Sequence, residues 1–71
     1  LYPNPANDII NIKSQDIVDE IRIYNLLGQQ LRFVSPGLKQ TSIDIANFEV
    51  GVYIVKVKIG DQTNSYRILK K

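Results

Sequence analysis

The sequence predicts an all-β fold, an antiparallel sandwich of short strands with no α-helix. Apolar residues recur at every second position rather than every third or fourth, which is the period of a strand with one buried face. β-branched residues dominate these alternating stretches, as strands prefer. Turn-forming residues, most often with glycine, separate the stretches at short, regular intervals, which is typical of antiparallel strands joined by turns.

Six stretches carry the alternating pattern, and each predicts one short strand. The residues predicted to face the core are Ile10 and Ile12, Ile21 and Ile23, Leu31 and Phe33, Ile43 and Ile45, Tyr53, Val55, Val57 and Ile59, and Tyr66 and Ile68. Tight turns are expected at Gly28, at Pro36-Gly37 and at Gly60-Asp61, with a longer corner at residues 47–51. The fifth stretch has apolar residues on both faces and predicts a central strand, whereas the basic last stretch predicts an edge strand.

Composition argues against most catalytic chemistry. The chain has no cysteine and no histidine, so it lacks a thiolate nucleophile, an imidazole base and the commonest metal ligands. Seven carboxylates remain, but a chain of 71 residues leaves little room for a cleft between a catalytic pair. We therefore predict that the domain is not an enzyme and uses no cofactor. The cluster Asp16, Asp19 and Glu20 lacks the spacing of a calcium-binding loop, which favours a solvated loop.

Charge and hydropathy give little reason to expect a nucleic acid, a membrane or a small-molecule substrate as partner. The net charge of +2 comes from nine basic and seven acidic residues, which predicts a mixed surface. No apolar run approaches the roughly 20 residues of a membrane-spanning helix, and no signal peptide is evident. The chain begins at Leu1 and reads as a single domain, residues 1–71, cut from a longer protein whose export signal would lie upstream.

Three segments stand out from the strand pattern, and each has a structural and a functional interpretation; that of Gly51-Val52-Tyr53 is indirect, since a corner there would shape the fold that a receptor recognises. The stiff segment 2–6, with prolines at positions 3 and 5, is either a rigid lead-in to the first strand or a preorganised peptide that a partner reads. Gly51-Val52-Tyr53 predicts a structural corner at which the Tyr53 ring is buried and its hydroxyl finds a partner. The tail 66–71 is either a solvated edge strand or a recognition strand.

The order of these segments resembles a known family. The chain opens with Tyr-Pro-Asn-Pro-Ala at 2–6, continues with Ile-Tyr-Asn-Leu-Leu-Gly-Gln at 23–29 and Gly-Val-Tyr-Ile-Val-Lys-Val at 51–57, and closes with a basic and apolar strand at 67–71. This arrangement resembles the type A C-terminal sorting domain of type IX secretion in Gram-negative bacteria. The resemblance implies an immunoglobulin-like β-sandwich, commonly of seven strands. A seventh strand is then expected either around Phe48 or in the segment 2–7.

The resemblance also implies a function as a secretion signal at the end of a larger cargo protein. The cargo would pass through the periplasm and the type IX translocon to the cell surface or the medium. An outer-membrane shuttle protein would deliver it to a surface cysteine protease, which removes the sorting domain. By match to the family's motifs, recognition would rest on Pro3, Asn4, Pro5, Gly51, Tyr53, Arg67, Lys70 and Lys71.

A second hypothesis is an accessory immunoglobulin-like module of an extracellular enzyme or adhesin that binds carbohydrate. Such a module predicts a measurable affinity for sugar and tolerance of truncation at the tail, whereas a sorting domain predicts the opposite on both counts. The sequence leaves open whether the isolated domain dimerises through an edge strand. It also leaves open the identity of the cargo and the cleavage point, which is expected upstream of Leu1.

Overall fold

The computed structural model describes residues 1–3 and 5–71, which form six β-strands and no helix. The strands are β1 (Ile9–Val18), β2 (Glu20–Tyr24), β3 (Gln30–Val34), β4 (Leu38–Asp44), β5 (Gly51–Ile59) and β6 (Gln62–Lys70). They pair in two antiparallel sheets, one of β1 and β4 and one in the order β3-β2-β5-β6. The predicted all-β fold is confirmed. The described residues contain no helix that could cross a membrane.

The core lies between the two sheets and is built from the alternating residues of each strand. In the four-stranded sheet, Ile21 pairs with Val57 and Ile23 pairs with Val55, and all four side chains are buried. Complete burial of one such side chain stabilises a fold by about 1.5–3 kcal/mol. Strand β5 pairs with β2 on one side and with β6 on the other, so the prediction of a central fifth strand is confirmed. The two-stranded sheet contributes the buried residues Ile10, Ile12, Val18 and Ile43, and Ile45 follows directly after it.

Strand β3 is oriented differently from the prediction. Leu31 and Phe33 were expected in the core, but each is 43% exposed. Phe33 pairs with Arg22 on the outer face of the sheet, and Val34, which pairs with Ile21, packs against the core instead. Because β3 has apolar residues at adjacent positions, either face could have been buried, and the register with β2 decides which one is.

Strand β6 follows its predicted pattern only at its carboxyl end. Ile68 is 1% exposed, as predicted, whereas Tyr66 is 42% exposed. Both side chains point to the same side of the sheet because they are two residues apart in a strand. A two-stranded sheet is too narrow to cover a four-stranded one, so the start of the edge strand β6 remains in solvent.

Two of the predicted tight turns are confirmed. Gly28 has a φ of 88° in the β2–β3 connection, where the Asn25 Oδ1 accepts hydrogen bonds from the N–H groups of Leu27 and Gln29, each at 3.0 Å. Gly60, with a φ of 60°, occupies a two-residue hairpin loop, since Ile59 pairs directly with Gln62. Both values of φ are readily adopted only by glycine.

The connection at Pro36-Gly37 differs from the predicted tight turn. It carries the chain from β3 in one sheet to β4 in the other and closes no hydrogen-bonded turn. The Gly37 N–H instead donates to the Val18 carbonyl oxygen at 3.0 Å. A crossing between sheets needs an extended link of this kind, whereas a tight turn would return the chain to its own sheet.

The described residues form no seventh strand, and Phe48 lies in a turn. The segment 2–7 instead makes one bridge to each sheet, antiparallel between Tyr2 and Asn11 of β1 and parallel between Ala6 and Lys70 of β6. The Ala6 N–H donates to Leu69 and its carbonyl accepts from Lys71, each at 2.8 Å. Ala6 is also completely buried. Because Tyr2 pairs with one sheet and Ala6 with the other, the amino-terminal segment links the two sheets.

Candidate recognition site at one pole of the sandwich

The strand pairing brings both ends of the described chain to the same end of the sandwich. Gly51, at the start of β5, pairs with Lys70 at the end of β6. Ile9, at the start of β1, pairs with Asp44 at the end of β4. We call this end the terminal pole; it comprises residues 1–3, 5–8, 25–29, 45–51 and 69–71. All four segments that carry the family resemblance reach or adjoin it.

The amino-terminal motif is displayed on the surface of the terminal pole. Pro3 and Pro5 are exposed, and they lie between two anchors, the bridges of Tyr2 and Ala6. Asn4, the remaining motif residue, lies outside the described residues. A segment fixed at both ends loses little conformational entropy when a partner binds it.

Tyr53 supports the pole from inside. Its side chain is 6% exposed, and its hydroxyl donates a hydrogen bond to the Glu49 carbonyl oxygen at 2.5 Å. The ring packs against Phe48 with the ring centroids 5.1 Å apart. The prediction of a buried ring with a satisfied hydroxyl at this corner is confirmed. Tyr53 therefore shapes the loop that leads into Gly51, rather than offering its own surface to a partner.

We expect Tyr53→Phe to lower the free energy of unfolding by about 1 kcal/mol, because it removes the hydrogen bond to Glu49. For a domain of this size that corresponds to a fall in Tm of about 4–8 °C, which calorimetry can measure. Tyr66→Phe is the matched control, since Tyr66 is 42% exposed and its hydroxyl has no hydrogen bond within the described part of the chain. Equal Tm values for the two variants would contradict this role of Tyr53.

The three predicted cations of the tail occupy different environments. Lys70 is 6% exposed, and its Nζ donates to the Lys71 carbonyl oxygen at 2.7 Å. Lys70 is therefore part of the packed structure and not a charge on a solvated edge. Arg67 and Lys71 are exposed, and Arg67 lies beside Ile54 on the outer face of the four-stranded sheet. A partner can reach the side chains of Arg67 and Lys71 directly, but not that of Lys70.

The terminal pole also presents apolar residues that were not among the predicted site residues. Leu27 is 86% exposed, Val50 is 76% exposed and Leu26 is 67% exposed, and all three lie in the loops of this pole. Side chains of this kind held in solvent often mark an interaction surface. The sequence does contain a signal for them, because two consecutive leucines before Gly28 break the alternation and cannot both face the core.

A shallow cavity lies between loops 25–29 and 45–51 of the terminal pole. Its volume is about 510 Å³, and it is lined by Asn25, Leu31, Asn47, Phe48, Glu49 and Tyr53.

The described residues hold no group of three or more side chains able to ligate a metal ion. The acidic cluster predicted as a solvated loop lies mostly in strands instead, with Asp16 in β1 and Glu20 in β2. Between these strands, Asp19 accepts a hydrogen bond from the Gly60 N–H at 2.7 Å.

These features define a small all-β recognition domain, and comparison with known proteins gives its family. Residues 1–71 match the family described as secretion system C-terminal sorting domain. The chain is 35% identical over 57 residues to beta-agarase D and 34% identical over 59 residues to beta-agarase A, both from Zobellia galactanivorans. Each alignment covers 80% of this chain but 11% of the relative's length. No solved structure gives a significant match.

The chain belongs to the family of secretion system C-terminal sorting domains. It is thus a sorting signal of type IX secretion, and it interacts with the machinery of that pathway. Proteins that carry this signal are exported to the cell surface or secreted. The members of the family act as sorting signals and not as catalysts.

Proposed function

We propose that residues 1–71 fold as one unit and that the type IX machinery recognises the terminal pole of this unit. The observation that carries the proposal is the convergence of the family's motifs. The exposed prolines at positions 3 and 5, the corner at Gly51 and Tyr53, and the tail around Lys71 are far apart in sequence but lie at one end of the fold. A receptor could therefore contact the first and last motifs at once.

The residues divide into two roles under this proposal. Pro3, Pro5, Arg67 and Lys71 are exposed and would contact the receptor, whereas Tyr53 and Lys70 are buried and would maintain the shape of the pole. Gly51 is half-buried and pairs with Lys70 at the start of β5. It would therefore also help to maintain the shape of the pole. We assign Asn4 to the recognition motif by its family match alone.

The proposed route follows from the family. The cargo crosses the inner membrane, passes through the periplasm with the sorting domain folded, and leaves through the type IX translocon. An outer-membrane shuttle protein then delivers it to a cysteine protease at the surface, which removes the sorting domain. The Ala6–Lys70 bridge brings the amino-terminal segment beside the tail. A receptor that holds the tail would thus also lie close to this segment.

The domain itself performs no catalysis, binds no cofactor and takes no small-molecule substrate in this proposal.

Self-association is a separate proposal that concerns the edge of β6. Among the described residues, the amino-terminal segment pairs with that edge at Lys70, so the stretch around Thr63 and Ser65 is the place where a second copy could add a strand. Light scattering of the free domain measures whether it does.

An accessory module that binds carbohydrate remains the second candidate, and the cavity at the terminal pole is the observation that favours it. Its lining combines Phe48 with the side chains of Asn47 and Glu49, and rings flanked by polar groups can bind sugars. Tyr53 contributes little ring surface because it is 6% exposed. This candidate predicts that titration with agarose oligosaccharides gives a measurable affinity, and the sorting proposal predicts none.

The test of the sorting proposal is a fusion of residues 1–71 behind a fluorescent protein that is exported to the periplasm. It is expressed in a bacterium with the type IX machinery and in a matched strain without the translocon. We expect fluorescence on the surface or in the medium of the first strain and in the periplasm of the second. Periplasmic retention in both strains, with the domain folded by circular dichroism, would contradict the proposal.

A further inference from the structure

The outer face of the four-stranded sheet has a strong excess of positive charge. Arg22, Lys56, Lys58 and Arg67 lie on this face, and Glu20 is its one carboxylate among the described residues. The face therefore holds four of the nine cations and one of the seven carboxylates, while five cations and six carboxylates lie elsewhere. We call it the basic sheet face; it comprises residues 20, 22, 24, 33, 52, 54, 56, 58, 63, 65, 67 and 69.

Two of these cations are held in position by aromatic rings. The Arg22 guanidinium lies 4.5 Å from the centroid of the Phe33 ring, and it donates hydrogen bonds to Gln30 at 3.0 Å and to Glu20 at 3.2 Å. The Lys56 Nζ lies 5.2 Å from the centroid of the Tyr24 ring. Such contacts orient a cation without neutralising it. The positions of these two charges are thus set before any partner binds.

Two cations of the basic sheet face, Lys56 and Lys58, form no ion pair with the described residues. Arg22, in contrast, forms an ion pair with Glu20 on the same face. Lys56 and Lys58 are exposed and have no carboxylate within 4.0 Å. An unpaired cation loses part of its hydration when a surface covers it, and a carboxylate on that surface can offset the loss.

Apolar side chains complete the face towards the terminal pole. Tyr24, Val52 and Ile54 are half-buried, and Leu69 is 42% exposed. The Leu69–Val52 pair and the neighbouring Ile54–Tyr24 pair form two adjacent rows across the strands. The face therefore combines an apolar patch near the terminal pole with cations beside it and beyond it. Apolar patches bordered by polar groups are found at protein–protein interfaces.

We propose that the basic sheet face docks on an acidic surface of a folded protein of the secretion machinery. This proposal rests on the sorting function and adds a second surface to the terminal pole. A folded protein is favoured over a lipid surface because Arg22 and Lys56 are held by aromatic rings at positions set by the paired strands. Charges held in this way suit carboxylates that are themselves held in a folded surface. The most exposed leucines, which a membrane would take up, lie in the pole loops and not on this face.

The first test compares two charge reversals of equal size in the fluorescent fusion. K56E/K58E reverses the basic sheet face, and K13E/K39E reverses two exposed lysines of the other sheet. We expect K56E/K58E to lower surface delivery by about tenfold, as for charges at a complementary interface, and the control to change it by less than about twofold. Equal delivery of the two variants, both folded by circular dichroism, would overturn the proposal.

The second test uses the purified domain and does not depend on secretion. The probes are a glutamate–tyrosine copolymer, which is acidic and aromatic, and vesicles of phosphatidylglycerol. We expect the domain to bind the copolymer more tightly than the vesicles, and K56E/K58E to weaken this binding by about tenfold more than K13E/K39E does. Preferential binding to vesicles, or equal weakening by both variants, would overturn the proposal. If the wild-type fusion is not exported, the sorting function fails, and this binding assay still decides on the basic sheet face.

Discussion

Deletion of Lys70 and Lys71 is expected to leave the fluorescent cargo in the periplasm. The deletion removes the hydrogen bond from the Lys71 N–H to the Ala6 carbonyl and the partner of Ala6 in its bridge. It also removes a buried side chain, that of Lys70, from the end of β6. Among the described residues, the amino-terminal segment then keeps only the hydrogen bond from the Ala6 N–H to the Leu69 carbonyl as its link to the four-stranded sheet. With this weaker link, we expect the first and last motifs to hold together less firmly as one surface. Cell fractionation measures the outcome.

Two further variants separate recognition of the tail from its structural role. Lys71→Glu keeps the backbone bond to Ala6 and changes only an exposed charge. If the receptor reads that charge, Lys71→Glu lowers delivery while Lys13→Glu, an exposed charge on β1, does not. If the receptor reads the shape of the pole, only the deletion fails. Normal surface delivery of the deletion variant would refute a role for Lys70 and Lys71.

Replacement of Ile23 by alanine is expected to have the largest effect on stability. Ile23 has 0% exposure and lies in β2 between Arg32 of β3 and Val55 of β5. Loss of a fully buried isoleucine side chain costs about 2–5 kcal/mol, through lost burial and the cavity that remains. Small domains have a total stability of about 5–15 kcal/mol. We therefore expect a large fall in the urea midpoint and, in the fusion, a matching loss of surface delivery.

Ile17→Ala is the control for this prediction. It makes the same chemical change in β1, but Ile17 is 45% exposed. We expect a loss of less than about 1 kcal/mol, since surface substitutions have small effects. Equal urea midpoints for the two variants would show that the isoleucine cluster is not the source of stability.

The sequence was sufficient to predict the strands because its information about them is local. Alternation at period two marks a half-buried strand wherever it occurs, and the buried residues of β1, β2 and β5 follow it. Gly28 and Gly60 were likewise predictable, since their positive φ values are a property of the turn itself. The family motifs could be found for the same reason, as each lies within a few consecutive residues.

Where the local pattern allowed two answers, pairing between strands decided. In β3 the adjacent residues Phe33 and Val34 offered either face to the core, and the register with β2 turned Phe33 outwards onto Arg22. Pro36-Gly37 could have closed a tight turn, but β3 and β4 belong to different sheets. The residues next to β3 and next to Pro36-Gly37 in the sequence do not contain this information, because it depends on strands that are distant in sequence.

The sequence alone thus determined the fold class, the positions of the strands and the family to which they point. Only the tertiary structure decided that Lys70 is buried while Lys71 is exposed, and that Ala6 pairs beside them. It also decided that Arg22, Lys56 and Lys58 gather on one outer face. The terminal pole and the basic sheet face both arise from strand order and register, which depend on contacts between residues from distant parts of the chain.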